Sequence, residues 1–233
     1  RIMSFLDSYG PGRLERCVIE ILRTTEKQVR QVISEWPDGI YRGDSLLDDD
    51  GFDNKMIPIK AKVTIRGETM TVDLSESSPQ VTGFINSSFA NTRSMVHAAI
   101  MYLIPSDVPR NDGSMRVVKV IAPKGLIVNA NPPAPVCMST SQCGNEIIEA
   151  VFKALADKVP YAPTAGFSRR LRFAISGIDP RTGRQFIWHF FFARGGGGAS
   201  YGFDGWSNVG EVSNAGGIRI PSIELTEERF PFF

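Results

Sequence analysis

The stretch Ile57–Leu74 has the sequence IPIKAKVTIRGETMTVDL and decides the fold class. Its apolar residues alternate with mostly polar ones along two runs, which is the pattern of strands that bury one face. Arg66-Gly67-Glu68 separates the two runs, and a short break of this kind joins antiparallel strands. We therefore predict a β-hairpin over Ile57–Leu74.

Helical patterns lie on both sides of this hairpin. Apolar residues recur at spacings of three and four, which predicts three helices, at Gly12–Trp36, Asn91–Ile104 and Gln142–Val159. Pro37 and Gly39 end the first of them, because proline cannot continue a helix and glycine permits a positive φ.

The other segments complete the class. Gly43–Asn54 is polar and acidic and is predicted to be a loop. Short strands are predicted at Arg116–Ile121 and Leu126–Asn129, and a further strand pair at Leu171–Ser176 and Gln185–Ala193. Helices and strands interleave irregularly, so we predict an α+β fold with a mixed, mostly antiparallel sheet.

The composition is that of an ordinary globular protein. The 233 residues include 26 Lys plus Arg and 25 Asp plus Glu, for a net charge of +1, and 42% are hydrophobic. These values exclude disorder, collagen and coiled coil as the main class, and they argue against a broad nucleic-acid or membrane-surface footprint. We expect residues 1–233 to form a single segment of a larger subunit, with any sub-division near residues 105–140.

The cysteines and the chain ends bear on the compartment. Cys17, Cys137 and Cys143 are odd in number and form no CxxC pair, so they predict free thiols and a reducing compartment, the cytoplasm. Cys17 lies within the first helical pattern, where we expect it to be buried as a small apolar residue. The first residues, RIMSFLDSYG, lack a signal-peptide pattern, and both ends look cut from a longer protein.

A run of four glycines is the clearest candidate for binding. Gly195–Gly198 follows an apolar strand pattern and stands beside Arg194. Successive glycine N–H groups can bind an anion, and the arginine adds a fixed positive charge. Glycines in such a run also allow two backbones to pack closely. The residues alone leave both interpretations open.

Acidic residues and histidines are weaker candidates. The acidic cluster within Gly43–Asn54 does not match the EF-hand spacing and is interpreted as a solvated turn. His97 and His189 have no serine or aspartate partner nearby in sequence, so a buried structural role is expected for both. Asn86 and Asn111 flank the second predicted helix and could cap it or bind a ligand.

The order of several short motifs carries more information than any one of them. After the hairpin come SSPQVTGFIN at 77–86, NDGS at 111–114, APKG at 122–125, NPPAP at 131–135, Arg194 with Gly195–Gly198, DG at 204–205 and PSIE at 221–224. In this order the chain resembles the B-type subunit of the hydantoinase B/oxoprolinase family, from about Tyr9 to Pro231. The family subunit is much longer, so the resemblance is to an internal part of it.

The resemblance implies ATP-dependent chemistry on a stable cyclic amide. In the family, an A-type partner binds ATP, with Mg²⁺, and phosphorylates a carbonyl or enol oxygen. The B-type part then completes hydrolysis of the activated hydantoin, 5-oxoproline or other lactam. A divalent metal, where the family uses one, would be held upstream of this segment, so no metal ligand is assigned within it.

Six positions that match the family motifs are the candidate site residues. Asp73, Arg194 and Asp204 are expected to be catalytic, with the two aspartates as acid/base groups and the arginine against phosphate or oxyanion charge. Asn86, Asn111 and Gly196 are expected to bind the substrate.

Two other functions remain open at this point. A related branch of the family joins a ketone enol to bicarbonate, so the chain could be part of an ATP-dependent carboxylase of the acetone or acetophenone type. It could also be a non-catalytic scaffold that docks the ATPase partner. Bicarbonate-dependent ATP use would distinguish the carboxylase, and loss of partner binding on changing Gly195–Gly198 would indicate the scaffold.

Overall fold

The computed structural model describes residues 1–53, 55–159, 163–166, 173–190, 195–207, 209–210, 212–213 and 223–229. They belong to two compact units, Arg1–Pro163 and Thr164–Phe233. The boundary lies after Pro163, and the sub-division expected near residues 105–140 stays a prediction.

The first unit is built on a four-stranded sheet. Its strands are β1 (Gly39–Leu47), β2 (Ile57–Arg66), β3 (Thr69–Asp73) and β4 (Val118–Ile121), hydrogen-bonded in that order. The predicted hairpin is confirmed as β2 and β3, which pair antiparallel around a turn where Gly67 has a φ of 55°. β4 joins β3 in parallel, so the sheet is mixed, as predicted.

The prediction of a loop over Gly43–Asn54 is wrong for its first half, because β1 runs as far as Leu47. The residues of β1 that face the core include Gly43 and Ser45, which are too small to display an apolar alternation. They are small because the next layer is very close: a Cβ on Gly43 would lie 2.2 Å from the carbonyl oxygen of Ala150. Close packing therefore hid the strand from the sequence pattern.

Helices cover one face of this sheet. They are α1 (Ile2–Tyr9), α2 (Pro11–Ser34), α3 (Phe89–Leu103), α4 (Asp112–Met115) and α5 (Cys143–Leu155). The three predicted helices are confirmed as α2, α3 and α5. The expectation for Cys17 is wrong: its side chain is exposed, because the first half of α2 extends beyond the core.

The core lies between the sheet and α5. Alternate residues of β2 from Ile57 to Ile65 are buried, and the opposite face of that strand carries Lys60 and Lys62. Eleven of the residues of α5 are buried, Ile147 and Val151 completely. One face of the sheet is thus packed and the other carries charge, which is the usual condition of an antiparallel sheet with one covered face.

Two further sequence predictions concern short segments. The strand predicted at Leu126–Asn129 is wrong: Leu126 makes only single bridges, to Pro79 and Asn129, within a turn. The strand predicted at Arg116–Ile121 is confirmed as β4, which is two residues shorter at its start.

The second unit contains a strand pair and a short helix. β5 (Phe173–Ile178) and β6 (Gln185–Phe190) pair antiparallel, with Ile175 opposite Trp188, and α6 spans Ile223–Arg229. This confirms the predicted pair, of which residues 171–172 and 191–193 lie outside the described residues. No helix in the described part of the chain is long and apolar enough to cross a membrane.

Candidate functional site

Asp73 ends β3 with its carboxylate fixed by two neighbours. Lys62, directly opposite on β2, donates from Nζ to Oδ2 at 2.7 Å. The backbone N–H and the hydroxyl of Ser75 donate to Oδ1 at 3.0 and 2.5 Å. Partial burial alone would raise the pKa of Asp73, but these hydrogen bonds and the charge of Lys62 outweigh it and hold the pKa below its usual value. Asp73 is therefore an ionised, oriented carboxylate.

A shallow cavity of about 240 Å³ adjoins this ion pair on the open face of the sheet. It is lined by Arg42, Gly43, Asp44, Lys60, Ala61, Lys62 and Glu76. Arg42 makes a long ion pair of 3.9 Å with Glu76, in which both side chains are more than half exposed. Its cations and carboxylates are balanced in number, so the cavity is polar and close to neutral.

Asn86 is completely buried in the loop before α3. Its Oδ1 accepts from the N–H of Val81 at 2.8 Å. Its Nδ2 donates to the carbonyls of Val81, Gly83 and Pro135 at 2.9, 2.9 and 3.1 Å. The amide of Asn86 thus holds the loop at 81–86 against the proline-rich segment.

Asp50 plays a similar part, which the sequence did not indicate. Of the acidic cluster interpreted as solvated, Asp44, Asp48, Asp49 and Asp53 are exposed, but Asp50 is buried. Its carboxylate accepts from the N–H groups of Asp53, Phe52 and Gly83 at 2.8 to 3.0 Å. These backbone hydrogen bonds lower the pKa of Asp50 against the opposing effect of burial. An aspartate before a glycine turn was the available clue.

Asn111 is a helix cap that also connects two helices. Its Oδ1 accepts from the N–H of Gly113 at 2.9 Å, which caps α4. Its Nδ2 donates to the hydroxyl of Thr25 on α2 at 2.9 Å. Gly113 has no room for a side chain, because a Cβ there would lie 2.1 Å from the carbonyl of Leu22.

The glycine run in the second unit packs closely against neighbouring backbone. Gly196 pairs with Ser207, and the N–H of Gly197 donates to the carbonyl of Trp206 at 2.8 Å. A Cβ on Gly198 would lie 2.2 Å from the carbonyl of Ala165. Of the two interpretations left open by the sequence, these contacts favour close packing. Arg194 lies outside the described residues.

Asp204 lies on the same loop as Gly196, three residues before the bridge at Ser207, and its side chain is exposed. In the first unit, Asp73, Asn86 and Asn111 each bond to different neighbours. The described contacts therefore place Gly196 and Asp204 in one loop of the second unit and do not join the three residues of the first.

The two histidines differ in what can be said of them. His97 is buried in α3, as expected, and its Nε2 is the one buried side-chain nitrogen or oxygen of the described residues without a hydrogen-bond partner. Burial and the charge of Arg93 lower its pKa, against the opposing effects of Val118 and Asp112. The backbone of His189 lies in β6 opposite Ala174.

One buried polar contact was missed by the sequence analysis. The hydroxyl of Ser45 on β1 donates to the carboxylate of Glu146 on α5, which is buried, and lies 3.5 Å from Oε2 of Glu149. A glutamate within the apolar stripe of α5 was the available clue. Within the described ranges, no group of three or more His, Cys, Asp or Glu is placed to hold a metal ion.

Comparison with solved structures identifies the fold. The ATP-dependent caprolactamase from Pseudomonas jessenii superposes with a TM-score of 0.84 at 32% identity, over 99% of this chain and 40% of that chain. The nucleotide-free structure of acetone carboxylase superposes with a TM-score of 0.80 at 16% identity, over 97% of this chain and 32% of that one. This α+β fold is therefore one found within ATP-dependent enzymes.

Sequence comparison identifies the family. Residues 1–233 match the hydantoinase B/oxoprolinase family, and the chain belongs to it. It is 33% identical to the caprolactamase beta subunit of Pseudomonas jessenii and 30% identical to the B-type subunit of a putative D-/L-hydantoinase of Pseudomonas sp. (strain NS671). Each comparison covers 99% of this chain and 40% of the relative, so the chain spans about two fifths of the length of these proteins.

Proposed function

We propose that this chain is part of a B-type subunit of an ATP-dependent enzyme that hydrolyses a cyclic amide. The observation that carries the proposal is the similarity to the caprolactamase beta subunit, at 33% identity over 99% of the chain. The hydantoinase relative at 30% identity acts, by its name, on another cyclic amide, so the proposal extends to lactams and hydantoins as a class.

The need for ATP follows from the chemistry of the substrate. A lactam or hydantoin amide is a poor electrophile, and phosphorylation of its carbonyl oxygen turns that oxygen into a leaving group. We propose that an A-type partner binds ATP and Mg²⁺ and carries out this activation. The B-type part would then complete the hydrolysis.

Asp73 is the residue of the first unit best suited to an acid/base or orienting role. It is ionised, because its pKa is held low, and Lys62 at 2.7 Å fixes its orientation. An ionised carboxylate at the end of a rigid strand can accept a proton from water or orient a polar substrate group. The adjoining cavity of about 240 Å³ leaves room for such a group.

The remaining proposed roles keep the assignments drawn from the family motifs. Arg194 and the N–H of Gly196 would stabilise phosphate or oxyanion charge, and Asp204 would be a second acid/base group. Asn86 and Asn111 would act on the substrate through the loops that they hold, because their side-chain amides bond to neighbouring residues.

We place this enzyme in the cytoplasm. Cys17, Cys137 and Cys143 are free thiols, and two of them are exposed. Exposed free thiols are typical of reducing compartments.

A carboxylase of the acetone type is the second candidate function, and the fold similarity to acetone carboxylase favours it. That similarity, at 16% identity, concerns the fold alone. A non-catalytic scaffold that docks the ATPase is the third candidate.

The test measures ADP release by the full-length protein with its A-type partner. The substrates are caprolactam, hydantoins, 5-oxoproline and ketones, each with and without bicarbonate. We expect cyclic amides to stimulate ADP release without bicarbonate. Stimulation by ketones that requires bicarbonate would instead support the carboxylase, and no stimulation would support the scaffold.

Single substitutions in that assay test the assigned residues. Replacing Arg194 with Ala should lower turnover by about 10²-fold or more while the melting temperature stays nearly unchanged. Asp73→Asn should lower turnover, and Asp112→Asn, an exposed aspartate on α4, is its control. Full activity of either site variant would remove that residue from the site.

A further inference from the structure

Three exposed apolar side chains lie on three separate loops of the first unit. Phe52 is 71% exposed, Phe84 50% and Val136 39%. We call these three residues the loop platform. Apolar groups of this size, held in water on loops, mark a binding surface more often than a random surface does.

Asp50 connects the first two of these loops. Its Oδ1 accepts from the N–H of Phe52 and its Oδ2 from the N–H of Gly83, each at 3.0 Å. Phe84 follows Gly83 directly, so a single carboxylate holds the backbones of both phenylalanines. The approach is close, since a Cβ on Gly83 would lie 2.0 Å from the carbonyl of Asp50.

Asn86 and Phe84 connect the third loop. The Nδ2 of Asn86 donates to the carbonyl of Pro135 at 3.1 Å, and the N–H of Met138 donates to the carbonyl of Phe84 at 3.0 Å. Val136 lies between these two attachment points. The three apolar side chains therefore project from backbones that two buried polar side chains hold in place.

Such an arrangement is preorganised for a ligand. A loop that only connects elements needs no buried carboxylate and amide to fix it, whereas a binding surface gains affinity when its backbone is ordered in advance. Apolar side chains with a few placed polar groups are also the usual lining of a small-molecule site.

We propose that the loop platform binds the apolar ring of the cyclic amide substrate. This inference rests on the proposed function and adds a ring-binding surface to it. It also gives Asn86 a positioning role: its amide holds Phe84 and Val136 rather than touching the substrate. A ring rich in methylene groups should depend on the platform more than a polar hydantoin ring does, because only the former loses apolar contacts when the platform is removed.

The experiment measures ligand binding without ATP, by ligand-observed NMR, on the full-length protein with its partner. Caprolactam and hydantoin are the probes, and Phe84→Ala and Phe52→Ala are the variants. Phe5→Ala is the control, since Phe5 is a similarly exposed phenylalanine on α1. Melting temperatures establish that each variant is folded.

We expect Phe84→Ala to weaken caprolactam binding by about tenfold or more, to weaken hydantoin binding less, and Phe5→Ala to change neither. Equal caprolactam binding by Phe84→Ala and the unchanged protein would overturn the proposal. So would dissociation of the A-type partner with lactam binding preserved, because the platform would then be a protein interface.

The outcome is separable from that of the proposed function. Binding that depends on Phe84 in an enzyme that turns over no cyclic amide would support the platform and reject the proposed reaction. Turnover of cyclic amides with an unchanged KM in both platform variants would do the reverse.

Discussion

At Asn86 one side chain makes four hydrogen bonds to the backbone, and an aspartate of the same shape tests what they contribute. In Asn86→Asp the carboxylate still accepts from Val81, but it can no longer donate to three carbonyls and places a buried charge against them. We expect a loss of at least about 3 kcal/mol in the free energy of unfolding, measured by urea denaturation.

Asn131→Asp is the matched control for that change, because Asn131 is an exposed asparagine in the neighbouring proline-rich segment. It should change stability by less than about 0.5 kcal/mol. Similar values for the two variants would show that the hydrogen bonds of Asn86 do not stabilise the fold.

His97 should make stability depend on pH in a defined window. Its pKa is lowered in the folded protein from the ordinary 6.5, so the unfolded chain takes up the proton first as the pH falls. The contribution of the neutral side chain is therefore complete above about pH 6.5 and is lost progressively below it.

Urea unfolding at pH 7.5 and 5.0 measures this effect, and His97→Leu should reduce the difference between the two values. The window isolates the histidine, because the carboxylates with shifted pKa, Asp73 and Glu26 among them, have ordinary values of 3.8 and 4.5 and are lowered further. An equal pH dependence in His97→Leu would assign the effect to other groups.

Among the elements, the contact between β1 and α5 depends on one missing side chain. In Gly43→Ala the added Cβ would lie 2.2 Å from the carbonyl of Ala150 and 2.5 Å from the N–H nitrogen of Ala154. Both atoms are backbone, so helix and strand must separate. We expect a loss of about 1–3 kcal/mol, which is typical of overpacking, as measured by urea unfolding.

Gly12→Ala is the counterpart in an open helical position, where the nearest atom is a guanidinium nitrogen of Arg16 at 3.8 Å. It should stabilise the protein by about 0.4–1 kcal/mol, because alanine lowers the entropy of the unfolded chain. A destabilising Gly12→Ala, or a neutral Gly43→Ala, would contradict this account of the two glycines.

The same contact explains how far the sequence predicts the fold. The hairpin β2–β3 and the helices α3 and α5 follow from strong apolar periodicity, so the pattern located them. β1 was missed because its core-facing positions hold glycine and serine where α5 lies close. Periodicity records side-chain burial and is blind to an element whose packing requires small residues.

The candidate site was predicted less completely for a related reason. The motifs placed Asn86 and Asp73 at loop and strand ends, where polar side chains can act. Whether a polar side chain faces a ligand or its own backbone depends on contacts distant in sequence, such as that between Asn86 and Pro135. Asp50 was missed because its partner Gly83 is equally distant.

For the whole molecule, the distribution of buried side chains predicts how the two units unfold. Every buried apolar side chain of the described residues lies between Val29 and Leu155, inside the first unit. A unit that contains its own core can fold without a neighbour. We expect a fragment of residues 1–163 to unfold cooperatively on heating, with a Tm within about 4 °C of that of the 233-residue chain.

Circular dichroism at 222 nm and in the near ultraviolet measures both secondary structure and packing in this fragment. The near-ultraviolet signal separates a packed core from a loosely collapsed one, which would keep its helices but lose fixed aromatic contacts such as Tyr102 against Phe152, at 5.4 Å between ring centres. A fragment with helical signal but no cooperative transition would mean that residues 164–233 complete the core. A cooperative fragment would mean that the second unit, with Gly196 and Asp204, can be altered in functional tests without loss of the fold that holds Asp73 and the loop platform.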